Sequence, residues 1–229
     1  MGAKVKICGI TNPDDAKAAE AAGADFVGLI FEPKSPRYVD IAQAAEIVGA
    51  LRGTAKPVGV FVSADADFVR RAAAELGLFA VQLHGGQSAD FAREVKSDGV
   101  EIWRAVWADI AQAVQIAGES DYPADALLAD ARTKAAVGGT GNLCDWRAAA
   151  ELAKIKKLVL AGGISPENVR RAVEAVKPWA VDANSAVEIN PRKKYLNFFV
   201  IIIRHPPRST LFPYTELFQS TAASMSPKR

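Results

Sequence analysis

The sequence predicts an α/β protein, one (β/α)8 barrel with the TIM-barrel architecture in a single domain. The chain has 229 residues, a length typical of one such barrel. Eight short apolar runs recur through residues 1–188, and Ala-rich segments with helical periodicity separate them. Strands and helices in regular alternation are typical of a parallel sheet, and eight such units can close it into a barrel.

The apolar runs predict eight short strands with a parallel arrangement. In chain order they span residues 5–8, 26–31, 57–62, 80–83, 102–107, 126–129, 158–161 and 180–183. Helix starts lie between them: Asn12, followed by Pro13 and two acids, combines a cap, a first-turn proline and favourable charges. Further starts are predicted at Ser63, Ser88 and Ser165, and helix ends at Gly23, Gly53 and Gly77.

The composition changes abruptly after residue 188. Ala accounts for 41 of the first 188 residues but for only two of the last 41. Residues 198–203 form an apolar run, too short for a bilayer, which takes roughly 20 apolar residues. An apolar stripe at helical spacing predicts an atypical last barrel helix and consists of Leu196, Phe199, Val200 and Ile203. We therefore expect the barrel to occupy residues 1–204 and residues 205–229 to form a disordered tail.

Charge and cysteine content narrow the function classes. Residues 189–229 contain seven Lys or Arg residues and one acid, so the net charge of +2 conceals a mildly acidic body. Such a body offers no basic stripe for nucleic acid. Cys8 and Cys144 lie far apart in a chain without a signal-peptide pattern, so we expect a cytoplasmic protein with free thiols. With only two histidines, a histidine-based metal site is a poor fit.

Three loops predict a site for a phosphorylated small molecule. Gly-Gly follows the seventh strand and Asn-Ser-Ala follows the eighth, and backbone N–H groups of these two loops form the usual phosphate site of such barrels. A third, glycine-rich loop after the sixth strand lets the backbone approach a ligand closely. Any one loop fits an ordinary tight turn, but three on one barrel face favour the ligand. The predicted residues are Gly139, Gly141, Gly162, Gly163, Asn184, Ser185 and Ala186.

Two strand-end residues are candidates for proton transfer. Cys8 ends the first strand and Asp130 follows the sixth, on the barrel face where active sites form. A thiol has a reference pKa of about 8.5, so it can act as a base near neutrality when a cation or helix dipole assists it. A carboxylic acid can donate a proton where its surroundings keep it protonated. Taken alone, each residue is more often structural, as a small buried hydrophobe or a solvated loop cap.

Two further residues lie on the same predicted face. Arg37 follows the second strand and can clamp a carboxylate in a fork, although a surface arginine in a Pro-rich loop is the common alternative. His84 ends the fourth strand, either as a hydrogen-bonding partner of the site or as a satisfied histidine without a catalytic part. Cys144 precedes a predicted helix start and is interpreted as structural.

Seven ordered motifs carry a resemblance to a known family. They are KICGIT (6–11), SPRY (35–38), VQLHG (81–85), LLAD (127–130), GGTG (138–141), LAGGI (160–164) and VDANSAVE (181–188). Together they resemble the phosphoribosylanthranilate isomerases, enzymes of tryptophan biosynthesis, over about residues 3–194. Each motif alone is weak, but seven in order are highly specific.

The resemblance implies an Amadori rearrangement of N-(5′-phosphoribosyl)anthranilate without a cofactor. It assigns Cys8 as the general base, Asp130 as the general acid and Arg37 as the partner of the anthranilate carboxylate. Two hypotheses compete: an enzyme like indole-3-glycerol-phosphate synthase, which needs a catalytic Lys and Glu, and a non-catalytic phosphate-binding barrel. The sequence leaves open whether the protein is a monomer or a homodimer.

The chain departs from the family pattern in two places. Ser185-Ala186 stands where the family usually has Ser-Gly, and a positive φ there would cost on the order of 1 kcal/mol or more with a β-carbon. The second departure is the sequence after Lys194, where the family's last helix normally closes the barrel. A frameshift or a fusion would explain this tail, which bears on stability more than on chemistry.

Overall fold

Eight parallel strands alternate with helices and close into a barrel in the computed structural model of the protein. The structure describes residues 2–107, 109, 111, 115, 116, 119, 121–131 and 145–196. Each strand pairs with the next one along the chain, and the eighth strand pairs with the first. In this last pair, Lys6 lies opposite Asp182. The predicted TIM-barrel architecture is confirmed.

The strands agree with the predicted runs to within one residue at each end. They are β1 Lys4–Ile7, β2 Phe26–Ile30, β3 Lys56–Phe61, β4 Ala80–Leu83, β5 Glu101–Trp107, β6 Ala126–Asp130, β7 Lys157–Leu160 and β8 Ala180–Ala183. The helices whose limits lie within the described residues are α1 Pro13–Ala21, α2 Ile41–Gly49, α3 Ala66–Leu76, α4 Ala89–Val95, α5 Trp146–Ile155 and α6 Val169–Val176. After β8 come a 3-10 helix, Ser185–Val187, and an antiparallel hairpin of β9 Glu188–Asn190 and β10 Lys193–Lys194.

Some predicted helix boundaries are confirmed. Asn12 caps α1, because its side-chain oxygen accepts the Asp15 N–H at 2.8 Å. Ser88 caps α4 through the Phe91 N–H at 3.2 Å. Gly77 ends α3 with a φ of 57°, a conformation that glycine adopts without cost.

Other predicted boundaries are wrong. The cap of α3 is Asp65, while the Ser63 hydroxyl donates to Glu32 at 2.6 Å. Gly53 lies beyond the end of α2, whose C-cap is Ala50. Ser165 precedes a turn, and α6 begins only at Val169. In each case a neighbouring residue of similar capping ability, or a turn, competes with the predicted one.

Aromatic side chains close the lower, N-terminal end of the barrel. Phe26, Phe79, Trp103 and Trp179 pack against one another, with ring centroids 5.2–6.4 Å apart. Trp103 is fully buried in the apolar cluster that fills this end of the barrel interior. A second, larger apolar cluster lies between the strands and the helices. Because the lower end is plugged, a ligand can enter only from the C-terminal end of the strands.

Polar residues occupy the upper part of the barrel interior. Side chains alternate between the two faces of a strand. Three strand ends therefore place pairs of polar residues inside, separated by two positions along the chain. The pairs are Lys6 with Cys8, Gln82 with His84, and Asp182 with Asn184.

The β9–β10 hairpin lies across the loops that follow β1 and β2. The Thr11 hydroxyl donates to the Arg192 carbonyl at 3.0 Å, and the Lys194 N–H donates to Asp15 at 2.9 Å. The Arg192 guanidinium donates to the carbonyls of Pro36 and Tyr38. The hairpin thus binds the last strand of the barrel to the first two loops.

The described chain ends at Leu196, which is buried in the larger apolar cluster. The other members of the predicted stripe, Phe199, Val200 and Ile203, lie outside the described residues, as does the predicted tail. In the described ranges, no helix combines the length and apolar character needed to cross a membrane.

Candidate active site

Cys8 lies at the upper end of the barrel interior, directly after β1. Its N–H donates to the Ala183 carbonyl at 2.9 Å, and its side chain is buried. Room for the thiol comes from Gly28 on β2. A β-carbon at Gly28 would lie 2.8 Å from the Cys8 Sγ and 3.2 Å from the Lys6 Cε. The absence of a side chain at Gly28 therefore lets both groups share one small space.

The charge state of Cys8 depends on four neighbouring groups. Burial raises the pKa of the thiol, and the nearby Asp182 carboxylate raises it further. Lys6 and Lys194 act in the opposite direction, because their positive charges favour the thiolate, but burial and Asp182 outweigh them and the pKa of Cys8 is raised. Arg37 also interacts electrostatically with Cys8. The site thus contains the cationic assistance that a basic cysteine requires.

A fully buried ion pair lies below Cys8. The Lys6 ammonium donates to Asp182 Oδ2 at 2.7 Å. Burial opposes a charge on Lys6, but Asp182 and Cys8 outweigh it, so the pKa of Lys6 is raised. Burial also raises the pKa of Asp182, which argues for a neutral carboxyl. We favour the charged pair, because each charge has a direct partner of opposite sign at 2.7 Å in a region shielded from water.

Asp130 ends β6 and lies beside His84, which in turn contacts Gln82. The Gln82 amide nitrogen lies 2.8 Å from His84 Nδ1, and His84 Nε2 lies 3.3 Å from Asp130 Oδ2. With the Gln82 amide nitrogen as the donor, Nδ1 accepts, and the other ring nitrogen, Nε2, is the one nearest Asp130. Asp182 interacts electrostatically with Cys8 and with Asp130. The structure thus brings both predicted proton-transfer residues to one interior.

Arg37 is engaged by an acid that the sequence analysis did not identify. Its Nε and Nη2 donate to the two carboxylate oxygens of Glu188 at 2.8 and 2.6 Å. Lys194 also donates to Glu188, at 2.8 Å, and to both oxygens of Asn184. Burial opposes the charge on Glu188, but the hydrogen bonds from Arg37 and Lys194 outweigh it, so the pKa of Glu188 is lowered. Among the described residues, the Arg37 Nη1 has no partner, and that edge of the guanidinium remains able to donate.

Gly9 makes the close approach of Arg37 to the strand ends possible. Its φ is +70°, and a β-carbon there would lie 2.6 Å from the Arg37 Cδ and 2.7 Å from Asn184 Oδ1. Both the backbone conformation and the space therefore require glycine. This explains the Cys-Gly sequence at the end of β1 in terms of the site above it.

The loops after β7 and β8 have the predicted positions. Gly162 and Gly163 have φ values of 74° and 73°. A β-carbon at Gly162 would lie 2.4 Å from the Ala131 nitrogen and 3.0 Å from Asp130 Oδ1, so this glycine lets the β7 loop pack against the end of β6. Gly139, Gly141 and Cys144 lie outside the described residues.

Ala186 is free of the backbone strain considered above. It lies in the 3-10 helix Ser185–Val187, and only Lys177 and Arg192 have positive φ among the described non-glycine residues. An alanine in place of glycine therefore costs nothing in backbone conformation. Asn184 precedes this short helix and accepts a hydrogen bond from Lys194 at 3.0 Å.

Sequence reasoning missed Lys6, Gln82, Asp182, Glu188 and Lys194 as members of the site. A usable signal existed for three of them. Lys6, Gln82 and Asp182 are polar residues inside short apolar strands, and a buried polar residue demands a partner. Glu188 and Lys194 lie in a hairpin that no strand pattern predicts.

Comparisons with known proteins agree with the motifs. A family model for N-(5′-phosphoribosyl)anthranilate (PRA) isomerase matches residues 5–200. The chain is 42% identical over 193 residues to N-(5′-phosphoribosyl)anthranilate isomerase of Rubrobacter xylanophilus, covering 84% of this chain and 93% of that protein. It is 43% identical over 191 residues to the protein of that name in Citrifermentans bemidjiense, covering 83% and 90%.

Solved structures are similar over the same region. Phosphoribosyl anthranilate isomerase from Thermotoga maritima superposes with a TM-score of 0.78 at 35% identity, covering 88% of this chain and 97% of that chain. Monomers generated from the dimeric isomerase of that organism give 0.74 at 34% identity, with the same coverage. A phosphoribosyl anthranilate isomerase in complex with reduced 1-(o-carboxyphenylamino)-1-deoxyribulose 5-phosphate gives 0.73 at 32% identity, again with coverage of 88% and 97%.

Proposed function

The chain belongs to the N-(5′-phosphoribosyl)anthranilate isomerase family of tryptophan biosynthesis, and we propose that Cys8 and Asp130 are its general base and general acid. The reaction is the Amadori rearrangement of N-(5′-phosphoribosyl)anthranilate to 1-(2-carboxyphenylamino)-1-deoxyribulose 5-phosphate. One observation carries the assignment of roles. Cys8 and Asp130 both lie at the C-terminal ends of strands, and each is beside a polar group of the barrel interior: Cys8 beside Lys6, and Asp130 3.3 Å from His84 Nε2.

Asp130 opens the sugar ring. Its carboxylic acid gives a proton to the furanose ring oxygen, the bond from that oxygen to C1′ breaks, and the nitrogen lone pair forms a C1′–N iminium. The carboxylate that remains has one oxygen 3.3 Å from His84 Nε2, and its other oxygen accepts the Ala131 N–H at 2.7 Å. These donors stabilise the negative charge that appears on Asp130 in this step.

Cys8 then removes the C2′ proton. Its thiolate takes the proton, the C2′–H electron pair forms the C1′–C2′ double bond, and the iminium pair returns to nitrogen. The resulting enolamine loses its hydroxyl proton and gains one at C1′, which gives the ketone. Positioned proton transfers of this kind contribute roughly 10²- to 10⁴-fold each.

Arg37 and the loops after β7 and β8 hold the two ends of the substrate. The Arg37 Nη1 has no partner among the described residues, and a carboxylate is a natural ligand for it. These two loops suit a phosphate, because the loops after the seventh and eighth strands form the usual phosphate site of such barrels. Asn184, between Gly9 and Lys194, fixes the conformation of the β8 loop.

The indole-3-glycerol-phosphate synthase alternative fits less well. That chemistry needs a catalytic lysine within reach of the substrate. Lys6 is the lysine that lies beside Cys8, and it is fully buried and paired with Asp182. Lys6 therefore lies deeper in the barrel than the strand ends, and a substrate would bind at those ends.

The proposal includes a phosphorylated small molecule as the partner, no cofactor, a cytoplasmic location and a monomeric or homodimeric state. One structurally similar isomerase, that of Thermotoga maritima, is dimeric. The mildly acidic body supports the exclusion of nucleic acid. Analytical ultracentrifugation of the full chain distinguishes the two oligomeric states.

Turnover tests the proposed function directly. Phosphoribosylanthranilate is fluorescent, and we expect purified protein to remove this fluorescence catalytically. Cys8→Ser and Asp130→Asn proteins, prepared in parallel, exclude a contaminating host isomerase. Binding of the substrate without turnover would instead support the non-catalytic barrel.

A further inference from the structure

The Lys6–Asp182 ion pair is the largest buried polar feature that the mechanism above does not use. Lys6 is fully buried, and its Nζ lies 2.7 Å from Asp182 Oδ2. The other carboxylate oxygen, Oδ1, is buried without a hydrogen-bond partner among the described residues. A buried ion pair costs several kcal/mol of desolvation per ion and is weak evidence for a purely stabilising role.

The pair lies directly against the thiol. Lys6 and Cys8 are two positions apart, so their side chains extend from the same face of the chain. The Lys6 Cε and the Cys8 Sγ both lie within 3.2 Å of the point that a β-carbon on Gly28 would occupy. Lys6 therefore has two negatively charged neighbours when Cys8 is ionised: the Asp182 carboxylate and the thiolate.

The other charges facing Cys8 come from two elements. Lys194 on β10 and Arg37 in the loop after β2 interact electrostatically with it, and both are bound to Glu188. Asp182 faces His84 and Asp130 in addition to Lys6. Lys6 is thus the cation that touches Cys8 without being neutralised by Glu188.

We propose that Lys6 is a positioning residue that stabilises the Cys8 thiolate, and that Asp182 limits this stabilisation by sharing the Lys6 charge. The inference rests on the proposed role of Cys8 as general base. The two effects oppose each other. Without Lys6 the fraction of Cys8 present as thiolate is too small, and a thiolate paired with an unshared ammonium is a weaker base. Lys6 and Asp182 remain paired when Cys8 accepts a proton, so no lone charge is left in the barrel.

The test is the titration of Cys8 followed by the ultraviolet absorbance of its thiolate, which requires no turnover. The same titration in a matched Cys8→Ser protein is subtracted for each variant, which removes Cys144 and the tyrosines. Lys6→Met should move the Cys8 midpoint to higher pH by about one unit or more, because an adjacent opposite charge is lost. Asp182→Asn should move it to lower pH, because Lys6 then pairs with the thiolate alone.

The opposite signs separate this role from a structural one. Loss of packing alone would move both midpoints in the same direction or leave both unchanged, and either result would overturn the proposal. Should Lys6→Met fail to fold, the double variant Lys6→Met/Asp182→Asn leaves no unpaired buried charge. Its midpoint should still exceed that of the wild type, because the Lys6 side chain lies directly beside the thiol, with the Lys6 Cε and Cys8 Sγ packed around the same point next to Gly28. A midpoint equal to the wild-type value would refute the inference.

Kinetics distinguish failure of this inference from failure of the proposed function. We expect the limb of kcat that rises with pH to shift upward in Lys6→Met together with the absorbance midpoint, with KM little changed. An active Cys8→Ser protein would overturn the role of Cys8 itself. An inactive Cys8→Ser protein combined with an unshifted Lys6→Met profile would overturn the role of Lys6 alone.

Discussion

In the proposed mechanism Cys8 and Asp130 act in proton transfer, so their removal should affect turnover more than binding. We predict that Cys8→Ser and Asp130→Asn each lower kcat by about 10²-fold or more, with KM nearly unchanged. Both substitutions preserve the size of the side chain, and Asn can still accept from His84. Steady-state kinetics measure the effect. A variant that keeps kcat near the wild-type value would remove that residue from the mechanism.

Arg37 binds one end of the substrate in this account. A charge-assisted hydrogen bond to a carboxylate is worth about 1.5–3 kcal/mol, so Arg37→Ala should raise KM by roughly 10- to 150-fold and lower kcat less. Arg70→Ala provides the control, since this arginine forms ion pairs with Asp67 and Glu94 on the surface. If KM is unchanged in both variants, Arg37 serves only to hold Glu188.

The location of a site residue could be predicted only where the fold topology alone determines it. Cys8 and Asp130 follow strands, and strand ends of a parallel barrel share one face, so their proximity follows from the topology. The Arg37–Glu188 fork joins residues 151 positions apart through a hairpin without a strand pattern. The guanidinium group of Arg37 predicts a carboxylate partner, but the sequence does not show which acid it is.

At the level of single elements, two glycines on neighbouring strands offer a matched pair. A β-carbon at Gly28 would meet the Cys8 Sγ at 2.8 Å, and one at Gly59 would meet Leu78 and Phe61 at 2.7 Å, outside the barrel interior. We predict that Gly28→Ala and Gly59→Ala each destabilise the fold by about 1–3 kcal/mol through overpacking. Only Gly28→Ala should also lower kcat.

Thermal melts and kinetics of the two glycine variants check this prediction. Equal losses of kcat at matched stability would show that Gly28 has no particular connection to Cys8. A loss confined to Gly28→Ala would connect the packing of β2 to the position of the thiol.

Glu20 on α1 joins that helix to the segment before β3. Its carboxylate accepts the N–H groups of Arg52, Thr54 and Ala55 and the Thr54 hydroxyl at 2.7–3.0 Å. Burial opposes the charge, but these hydrogen bonds outweigh it and lower the pKa of Glu20 from 4.5 to about 2. A lowered pKa in the folded state gives stability that is complete above the ordinary value and is lost as the pH falls toward the lowered one.

Glu20→Gln should therefore have a lower melting temperature than the wild type at neutral pH. The difference should persist down to about pH 4.5 and shrink as the pH falls toward 2. Glu46→Gln, at an exposed position on α2, is the control. A difference that is independent of pH across this range would contradict the assignment.

Strand positions could be predicted closely, whereas helix boundaries could not. A buried strand needs a short apolar run between polar segments. Each of the eight strands has only one such run in its part of the chain, so its position is well determined. A helix can begin at several nearby capping residues of similar energy. Ser63 and Asp65 compete at the start of α3, and the tertiary contact of Ser63 with Glu32 decides between them.

For the whole molecule, the end of the chain has the largest predicted effect on stability. Truncation after Lys194 removes Leu196, which is buried, and loss of a buried leucine side chain costs about 2–5 kcal/mol. It also removes Phe199, Val200 and Ile203, the rest of the predicted stripe. Truncation after Arg204 removes only a Pro/Ser/Thr-rich segment that cannot offset its ordering entropy. We predict a large drop in melting temperature for the first truncation and none for the second.

Thermal melts of both truncations and of Leu196→Ala measure these effects. If the truncation after Lys194 behaves like Leu196→Ala, residues 197–204 add nothing to stability. Equal melting temperatures for all proteins would show that the end of the chain does not pack on the barrel.

Closure of the barrel marks the limit of what the sequence predicts. Eight βα units indicate a closed sheet, but the register between β1 and β8 decides that Lys6 lies opposite Asp182. That register depends on the packing of all eight strands, and a local pattern contains no information about it. The buried ion pair beside the thiol was therefore visible only as two unexplained polar residues in apolar strands.

The most direct test of the account is the catalytic loss of phosphoribosylanthranilate fluorescence, with protein produced in a host that lacks its own isomerase. We expect multiple turnovers by the wild type and a rate at least about 10²-fold lower for Cys8→Ser and Asp130→Asn. Absence of turnover by correctly folded wild-type protein, or turnover that survives both substitutions, would contradict it.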